Sequence, residues 1–323
     1  MIFAEETMDY VLGIDSGGTK FLVKAVGMDG TELAEYEGNP AGLYRFAKQD
    51  AIRIIQDNLE ICINQANLRK EQCRAIVCGT TGIDSEEDRM EVEAIYQTLE
   101  GYQCPVLCIN DAEAALYAAT GGIGVILIAG TGSIAFGRNN SGETHRCGGW
   151  PPCIFGDEGS GVWLNLKALE YVSHVLDGRK KKTLLFDLLN QELAIQGPKD
   201  LIKICQRIEK ENAGFLKLGP IVMRAAREND EHALAIIHEE AEKTISLVVP
   251  VIEKLRMSEE KFCVGAWGSA IVKNNYHYKF FKEMLEQKYK NAEVSIAEKD
   301  AAYGACRIAL DILSEEKRIY TFS

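Results

Sequence analysis

Residues 10–38, YVLGIDSGGTKFLVKAVGMDGTELAEYEG, decide between the folds open to this chain. The Gly17-Gly18 pair and the turn dipeptide Asp29-Gly30 divide the stretch into β-rich runs, which predicts a meander of antiparallel strands. A glycine loop of Rossmann or Walker type opens a helix, whereas KFLVKAV after Thr19 alternates as a strand through Phe21, Val23 and Ala25. Neither of those folds fits.

Working outward, Ile52, Ile55, Leu59 and Ile63 recur at helical spacing, and CRAIVCGTTG (73–82) reads as a buried strand ending in a Gly-rich turn. A helix is predicted from about Glu86 to Leu99, with Ser85 and Asp88 placed as a capping box. The strand PVLCIN (105–110) ends at Asp111, where AEAALYAAT continues as a helix. The first third therefore reads β-β-β-α-β-α-β-α. Residues 124–142, GVILIAGTGSIAFGRNNSG, repeat its opening: Gly17 to Gly30 spans 13 positions and Gly130 to Gly142 spans 12. An internal duplication follows. Beyond it the patterns are mostly helical, at 159–176, 199–211, 218–228 and 232–255, the last expected to kink near Pro250. FCVGAWGSAIV (262–272) is the final strand expected, running into a Gly turn, and DAAYGACRIALDIL (300–313) reads as a helix.

The chain has 323 residues, enough for two domains at about 150 each. With 46% hydrophobic and 26% charged residues it falls among ordinary globular proteins, which excludes disordered, coiled-coil and collagen-like classes. A net charge of −12 argues against nucleic acid or an anionic membrane as partner and points to small molecules. The start, MIFAEETMDY, carries acid where a secretory signal carries base, so a cytoplasmic protein is expected. Residues 121–137 are uncharged but hold six glycines, too punctuated to span a membrane. The ten cysteines include no C-x-x-C pair and read as reduced, mostly buried thiols. Cys147 and Cys153, near His145, lack the second pair a zinc site needs, and RKKK (179–182) reads as a solvated helix end or loop.

Hairpin tips of Gly, Thr and Ser offer backbone N–H groups and hydroxyls that can surround phosphate oxygens without a surplus of cations. Gly suits such tips because it lets backbone approach a ligand. Asp111 stands where a strand ends and a helix begins, a position that turns its carboxylate toward a cleft.

The ordered set GIDSGGTK (13–20), GTTG (79–82), IND (109–111), IAGTGS (128–133), GGW (148–150), GDEGSG (156–161), VGAWGSA (264–270) and AAYGA (301–305) resembles the N-acetylglucosamine kinase branch of the sugar kinase, heat-shock protein and actin ATPase superfamily. That branch belongs with the ATPase family named for activators of benzoyl-CoA reductase and 2-hydroxyacyl-CoA dehydratase. The resemblance covers nearly the whole chain. It implies an α/β protein of two ribonuclease H-like domains, 1–118 and 119–305, with 306–323 returning to the first and a nucleotide and sugar cleft between them.

It further implies an ATP- and Mg²⁺-dependent kinase that phosphorylates the 6-hydroxyl of an amino sugar, N-acetylglucosamine or a close relative such as glucosamine or N-acetylmuramic acid. The resemblance favours a homodimer. Asp111 matches the catalytic carboxylate. Gly17, Gly18, Thr19 and Lys20 match the first phosphate tip, with Asp15 toward Mg²⁺, and Gly130, Thr131 and Gly132 the second. Ala213 matches a nucleotide contact, and Gly268 with Ser269 the adenosine side. Asn39, Gly149, Trp150 and Asp157 match the sugar contacts. The segment WPPCIFG (150–156) departs from the pattern, which has Gly directly after Trp and one residue fewer before G-D-E, and its two prolines stiffen the loop. The competing reading within the family is an activator ATPase. Such activators hold an iron–sulfur cluster on Cys from each subunit, and Cys147 and Cys153 do not resemble that pair.

Overall fold

The computed structural model describes residues 8–18, 20–41, 47–83, 85–150, 156–211, 213–314 and 320. The chain divides into two compact units, Met1–Ile123 with Ala297–Ser323, and Gly124–Ile296.

The first unit runs β1 (Tyr10–Ser16), β2 (Phe21–Gly27), β3 (Glu32–Gly38), α1 (Lys48–Gln65), β4 (Cys73–Thr80), α2 (Glu86–Tyr96), β5 (Val106–Asn110) and α3 (Asp111–Thr120). Its sheet has the order β3-β2-β1-β4-β5, with the first three strands antiparallel and β4 and β5 parallel to β1. Alternation along the strands sends Leu12, Ile14, Val23, Ile76 and Cys78 to one face, where Ile55 and Leu59 of α1 and Val92 and Ile95 of α2 cover them. At the start of α2, Ser85 Oγ accepts from the Asp88 amide at 3.1 Å, while its own hydroxyl donates to Asp88 Oδ2 at 2.7 Å. Only half of the expected capping box forms, because the short Asp88 side chain takes the hydroxyl rather than the Ser85 amide.

The second unit runs β6 (Gly124–Ala129), β7 (Ser133–Arg138), β8 (Thr144–Gly148), α4 (Gly161–Leu176), α5 (Leu184–Leu193), α6 (Pro198–Glu211), α7 (Gly219–Arg227), α8 (Glu231–Lys254), β9 (Phe262–Trp267), α9 (Ser269–Val272), α10 (Asn275–Lys288) and β10 (Ala292–Ile296). Its sheet order, β8-β7-β6-β9-β10, and its strand senses repeat those of the first unit position for position. FCVGAWGSAIV is therefore not the final strand: β10 adds a parallel edge beside β9. Helix α8 continues past Pro250 to Lys254. Val248, Val251 and Ile252 of α8 with Phe281 and Leu285 of α10 cover Val125, Leu127, Val264 and Ala266. Helices α4, α5 and α7 and the start of α8 bury a second core of their own, around Val162, Val172, Leu189, Val222 and Ile237.

The chain then returns to the first unit as α11 (Ala301–Ser314). Two glycines admit it. A Cβ on Gly13 of β1 would lie 2.1 Å from the Ala302 carbonyl oxygen, and a Cβ on Gly304 would lie 2.1 Å from that of Ala114 in α3. Lys24 of β2, 4% exposed, ties the approach to α11 down by meeting Asp300 at 3.2 Å, Glu32 at 3.0 Å and Glu35. Among the described residues no helix is long and apolar enough to cross a membrane.

Candidate functional site

In the first unit, β1, β4 and β5 are mutually parallel, so Ser16, Thr80 and Asn110 fall in one row at their carboxyl ends. Loops beyond such an edge are where open α/β sheets bind ligands. The Thr80 hydroxyl donates to the Ser16 carbonyl at 3.0 Å. Asn110, rather than Asp111, is the N-cap of α3: its Oδ1 accepts from the Ala112 amide at 3.0 Å while its Nδ2 donates to the Ile83 carbonyl at 3.1 Å. That division of labour leaves Asp111 as the first helical residue, half-buried, with Oδ1 also accepting from Ala112 at 2.9 Å. Gly79 lets the helix begin so close, since a Cβ there would lie 2.9 Å from Ala114 Cβ and 3.4 Å from Asp111 Cα.

Asp15 precedes Ser16 on β1. Burial pushes its carboxyl above the usual range, Lys20 opposes the shift, and the charge of Asp300 adds to it. Lys20 Nζ stands 3.6 Å from Asp15 Oδ2 across the hairpin that the Gly17 amide closes by donating to the Lys20 carbonyl at 3.0 Å. Gly18 follows within that turn, and Thr19 lies outside the described residues. Among the described residues no group of three or more His, Cys, Asp or Glu is arranged for a metal ion. One half-buried carboxylate with other acids near it fits Mg²⁺, which is held by one or two carboxylates, phosphate oxygens and water. Asn39 is exposed just beyond β3, and its carbonyl is held at 2.9 Å by Nδ2 of the buried Asn58 of α1.

In the second unit the β6–β7 tip is braced from outside the hairpin. The Gly161 amide donates to the Gly130 carbonyl at 2.8 Å and the Val162 amide to that of Thr131 at 3.3 Å, so the start of α4 rests on the tip. Asp157, itself at a positive φ of 62°, accepts from the Ser133 amide at 2.8 Å. A Cβ on Gly132 would lie 2.4 Å from Asp157 Oδ1, which explains the glycine. Burial raises the Asp157 carboxyl and the Ser133 bond opposes the shift. Asp157 thus shapes the β6–β7 tip. Gly149 donates to the Ser133 carbonyl at 2.9 Å, placing Trp150, 57% exposed, immediately after this brace. Residues 151–155, the PPCIF segment, lie outside the described residues.

Beside the tip is a cavity of about 310 Å³ lined by Gly130, Thr131, Val162, Leu164, Asn165, Leu216, Lys217, Pro220, Met223, Ser269 and Asn274, among others. Ser269 is on its wall, and Gly268 (φ 101°) brings α9 against β6: a Cβ there would lie 2.4 Å from the Ala129 carbonyl oxygen. Ala213 is not among its lining residues. The methyl is buried in the helical core, and the wall is made by its neighbours Gly214, Leu216 and Lys217. Asn165 was missed in the sequence. Buried on α4, it donates to the carbonyls of Ala213 and Leu216 at 3.0 Å each and accepts from the Leu218 amide at 3.0 Å, which fixes this wall. A lone Asn in a helical apolar pattern gives no signal of that role.

Asn274 and Ala270 on the opposite wall are held by a buried network. Asn274 Nδ2 donates to Glu240 Oε2 at 3.2 Å, and His277 Nδ1 donates to the Ala270 carbonyl at 3.1 Å. The Thr244 hydroxyl is 3.0 Å from His277 Nε2. Burial holds the Glu240 carboxyl well above the usual range and lowers His277 to about 4, the Ala270 bond opposing. The native His277 therefore refuses a proton that the unfolded chain accepts near pH 6.5. Its contribution to stability is complete above pH 6.5 and is lost as pH falls toward 4, at up to about 1.4 kcal/mol per pH unit. Urea unfolding at pH 7, 6 and 5 should show a shallower loss for His277→Gln than for the native sequence. Parallel pH profiles would refute this account.

The sequence model of the BadF/BadG/BcrA/BcrD ATPase family matches residues 12–309. The chain belongs to that family. It is the family to which the ordered motifs pointed. Among curated family relatives, the N-acetylmuramic acid/N-acetylglucosamine kinase of Clostridium acetobutylicum is 33% identical over 306 residues, 94% of this chain and 98% of that protein. The N-acetyl-D-glucosamine kinase of Dictyostelium discoideum is 30% identical over 311 residues, 93% of this chain and 97% of that one. A Chromobacterium violaceum protein solved as a candidate N-acetylglucosamine kinase superposes with a TM-score of 0.72 at 25% identity, covering 93% of this chain and 98% of that chain. The duplicated sheets are thus the family fold.

Proposed function

We propose that this ATPase-family member is an amino-sugar kinase that transfers the γ-phosphoryl group of ATP to the 6-hydroxyl of N-acetylglucosamine or a close relative. What carries the reading is Asp111, a half-buried carboxylate heading α3 beyond the carboxyl ends of three parallel strands, in a unit that also supplies Asp15. The names of the two curated relatives, each aligned over nearly its full length, support an N-acetylated amino sugar as acceptor.

In this reading Asp111 takes the hydroxyl proton as the sugar oxygen bonds to the γ-phosphorus and the bond to the bridging oxygen breaks, releasing ADP. The cavity bounded by Leu216, Pro220 and Met223 takes the adenosine, and Thr131 with the backbone of Gly130 meets the phosphates. Gly17, Gly18, Thr19 and Lys20 form the other phosphate tip. Asn39, Gly149, Trp150 and Asp157 are the sugar contacts. Mg²⁺ near Asp15 would screen phosphate charge when bound.

A coupled assay with ATP and Mg²⁺ across N-acetylglucosamine, N-acetylmuramic acid and glucosamine tests the proposal. ADP should form only when an amino sugar is present, and the product should carry phosphate at carbon 6 by NMR. ATP turnover that no sugar stimulates would overturn it.

A further inference from the structure

The described cysteines are all free thiols, and two of them lie together. Cys73 opens β4, and Cys104 stands two residues before β5, on the segment whose Pro105 carbonyl accepts from the Ile76 amide at 3.0 Å. Parallel pairing of β4 and β5 brings both to the amino-terminal edge of the sheet, with their Sγ atoms 3.8 Å apart. A disulfide needs about 2.05 Å, so closure requires an approach of under 2 Å, within reach of side-chain rotation.

We propose that Cys73 and Cys104 are a modification site, a dithiol that closes to an intramolecular disulfide when the protein meets hydrogen peroxide or an organic peroxide. The two sulfurs are unequal in the way such a pair requires. Cys104 is half-buried, and its hydrogen bond with Cys73 lowers its pKa, whereas burial pushes the Cys73 thiol well up. The Cys104 thiolate attacks a peroxide oxygen, the O–O bond breaks, and Cys104 becomes a sulfenic acid as hydroxide leaves. Cys73 then loses its proton, attacks the Cys104 sulfur and displaces that oxygen as water. Two thiols and one hydrogen peroxide give one disulfide and two waters.

The other thiols supply the contrast. Cys78 and Cys108 also face each other across β4 and β5, but both are fully buried, and burial raises the Cys108 thiol. An oxidant cannot reach them. Cys205 and Cys263 are exposed, and no contact between either of them and a second thiol occurs among the described residues. Among the described residues, only the edge pair joins a half-buried thiol to a second thiol within 4 Å.

The folded protein, treated with a small excess of hydrogen peroxide, alkylated in denaturant and digested, should yield one peptide pair joined through Cys73 and Cys104. The bond spans 31 positions, so the thermal midpoint should rise by about 5 °C and return on addition of dithiothreitol. Cys104→Ser should show neither change. In Cys73→Ser a sulfenic acid should persist at Cys104 and be trapped by dimedone. Recovery of Cys73 and Cys104 as alkylated thiols, while Cys205 and Cys263 are oxidised, would overturn the proposal. So would sulfinate at Cys104 beside a free Cys73.

Discussion

Asp111→Asn should lower kcat for sugar phosphorylation by roughly 10²- to 10⁴-fold, about 3–6 kcal/mol of transition-state stabilisation, with little change in the KM for ATP. The substitution is chosen for what it preserves. Asparagine keeps an Oδ1 acceptor for the Ala112 amide, and Asn110 still caps α3, so the helix should begin where it does now. The cavity proposed for the nucleotide is lined by residues of the second unit, while residue 111 belongs to the first. What is lost is the basic oxygen that accepts a proton. Since that interaction is made only as the hydroxyl reacts, kcat and kcat/KM for sugar should fall together. Near-normal turnover would remove Asp111 from the mechanism.

Gly304→Val should destabilise the first unit by about 3 kcal/mol or more, seen as a fall in the urea midpoint. A Cβ alone would stand 2.1 Å from the Ala114 carbonyl oxygen and 2.9 Å from the Ala118 amide nitrogen, both backbone atoms of α3 that cannot rotate aside. The helices must separate, and the Tyr117–Asp311 hydrogen bond that spans the same interface should break with them. Fluorescence of Trp150, Trp163 and Trp267, all in the second unit, should report a transition that shifts less than the far-ultraviolet signal if the two units unfold separately. An unchanged midpoint would show that α11 does not depend on this close approach.

The first unit was readable because its signals are local. Strand alternation, Gly-rich tips and Asp-Gly each act within a few residues, and the same logic revealed the β6–β7 copy. The strands that escaped are two short edge strands, β8 (THRCG), which has little apolar pattern, and β10 (AEVSI), whose alternation of Ala292, Val294 and Ile296 is only five residues long. Strand β10 exists because β9 offers a parallel edge some thirty residues earlier, information no short window holds. The site followed the same division. Motif residues such as Asp111 and the β6–β7 tip could be named, but the residues that hold them could not. Asn110 looks like the end of a strand, and Asn58, Asn165 and Glu240 look like polar positions on amphipathic helices. Only packing shows each to be buried and bonded to backbone or side chains that form the site. Ala213 illustrates the converse, since a matched motif position turned inward while its neighbours took the wall.

The return of α11 to the first unit also sets an order of events at the ribosome. Residues 124–296 form a contiguous unit and can complete their sheet as soon as β10 emerges. The first unit cannot, although its strands are made earlier. Until residues 301–314 appear, the face of β1 around Gly13 and the side of α3 around Ala114 stay uncovered, at synthesis rates of about 5–20 residues per second. The half of the chain translated first is therefore the half that finishes folding last, and for many seconds it presents an apolar face that chaperones can recognise.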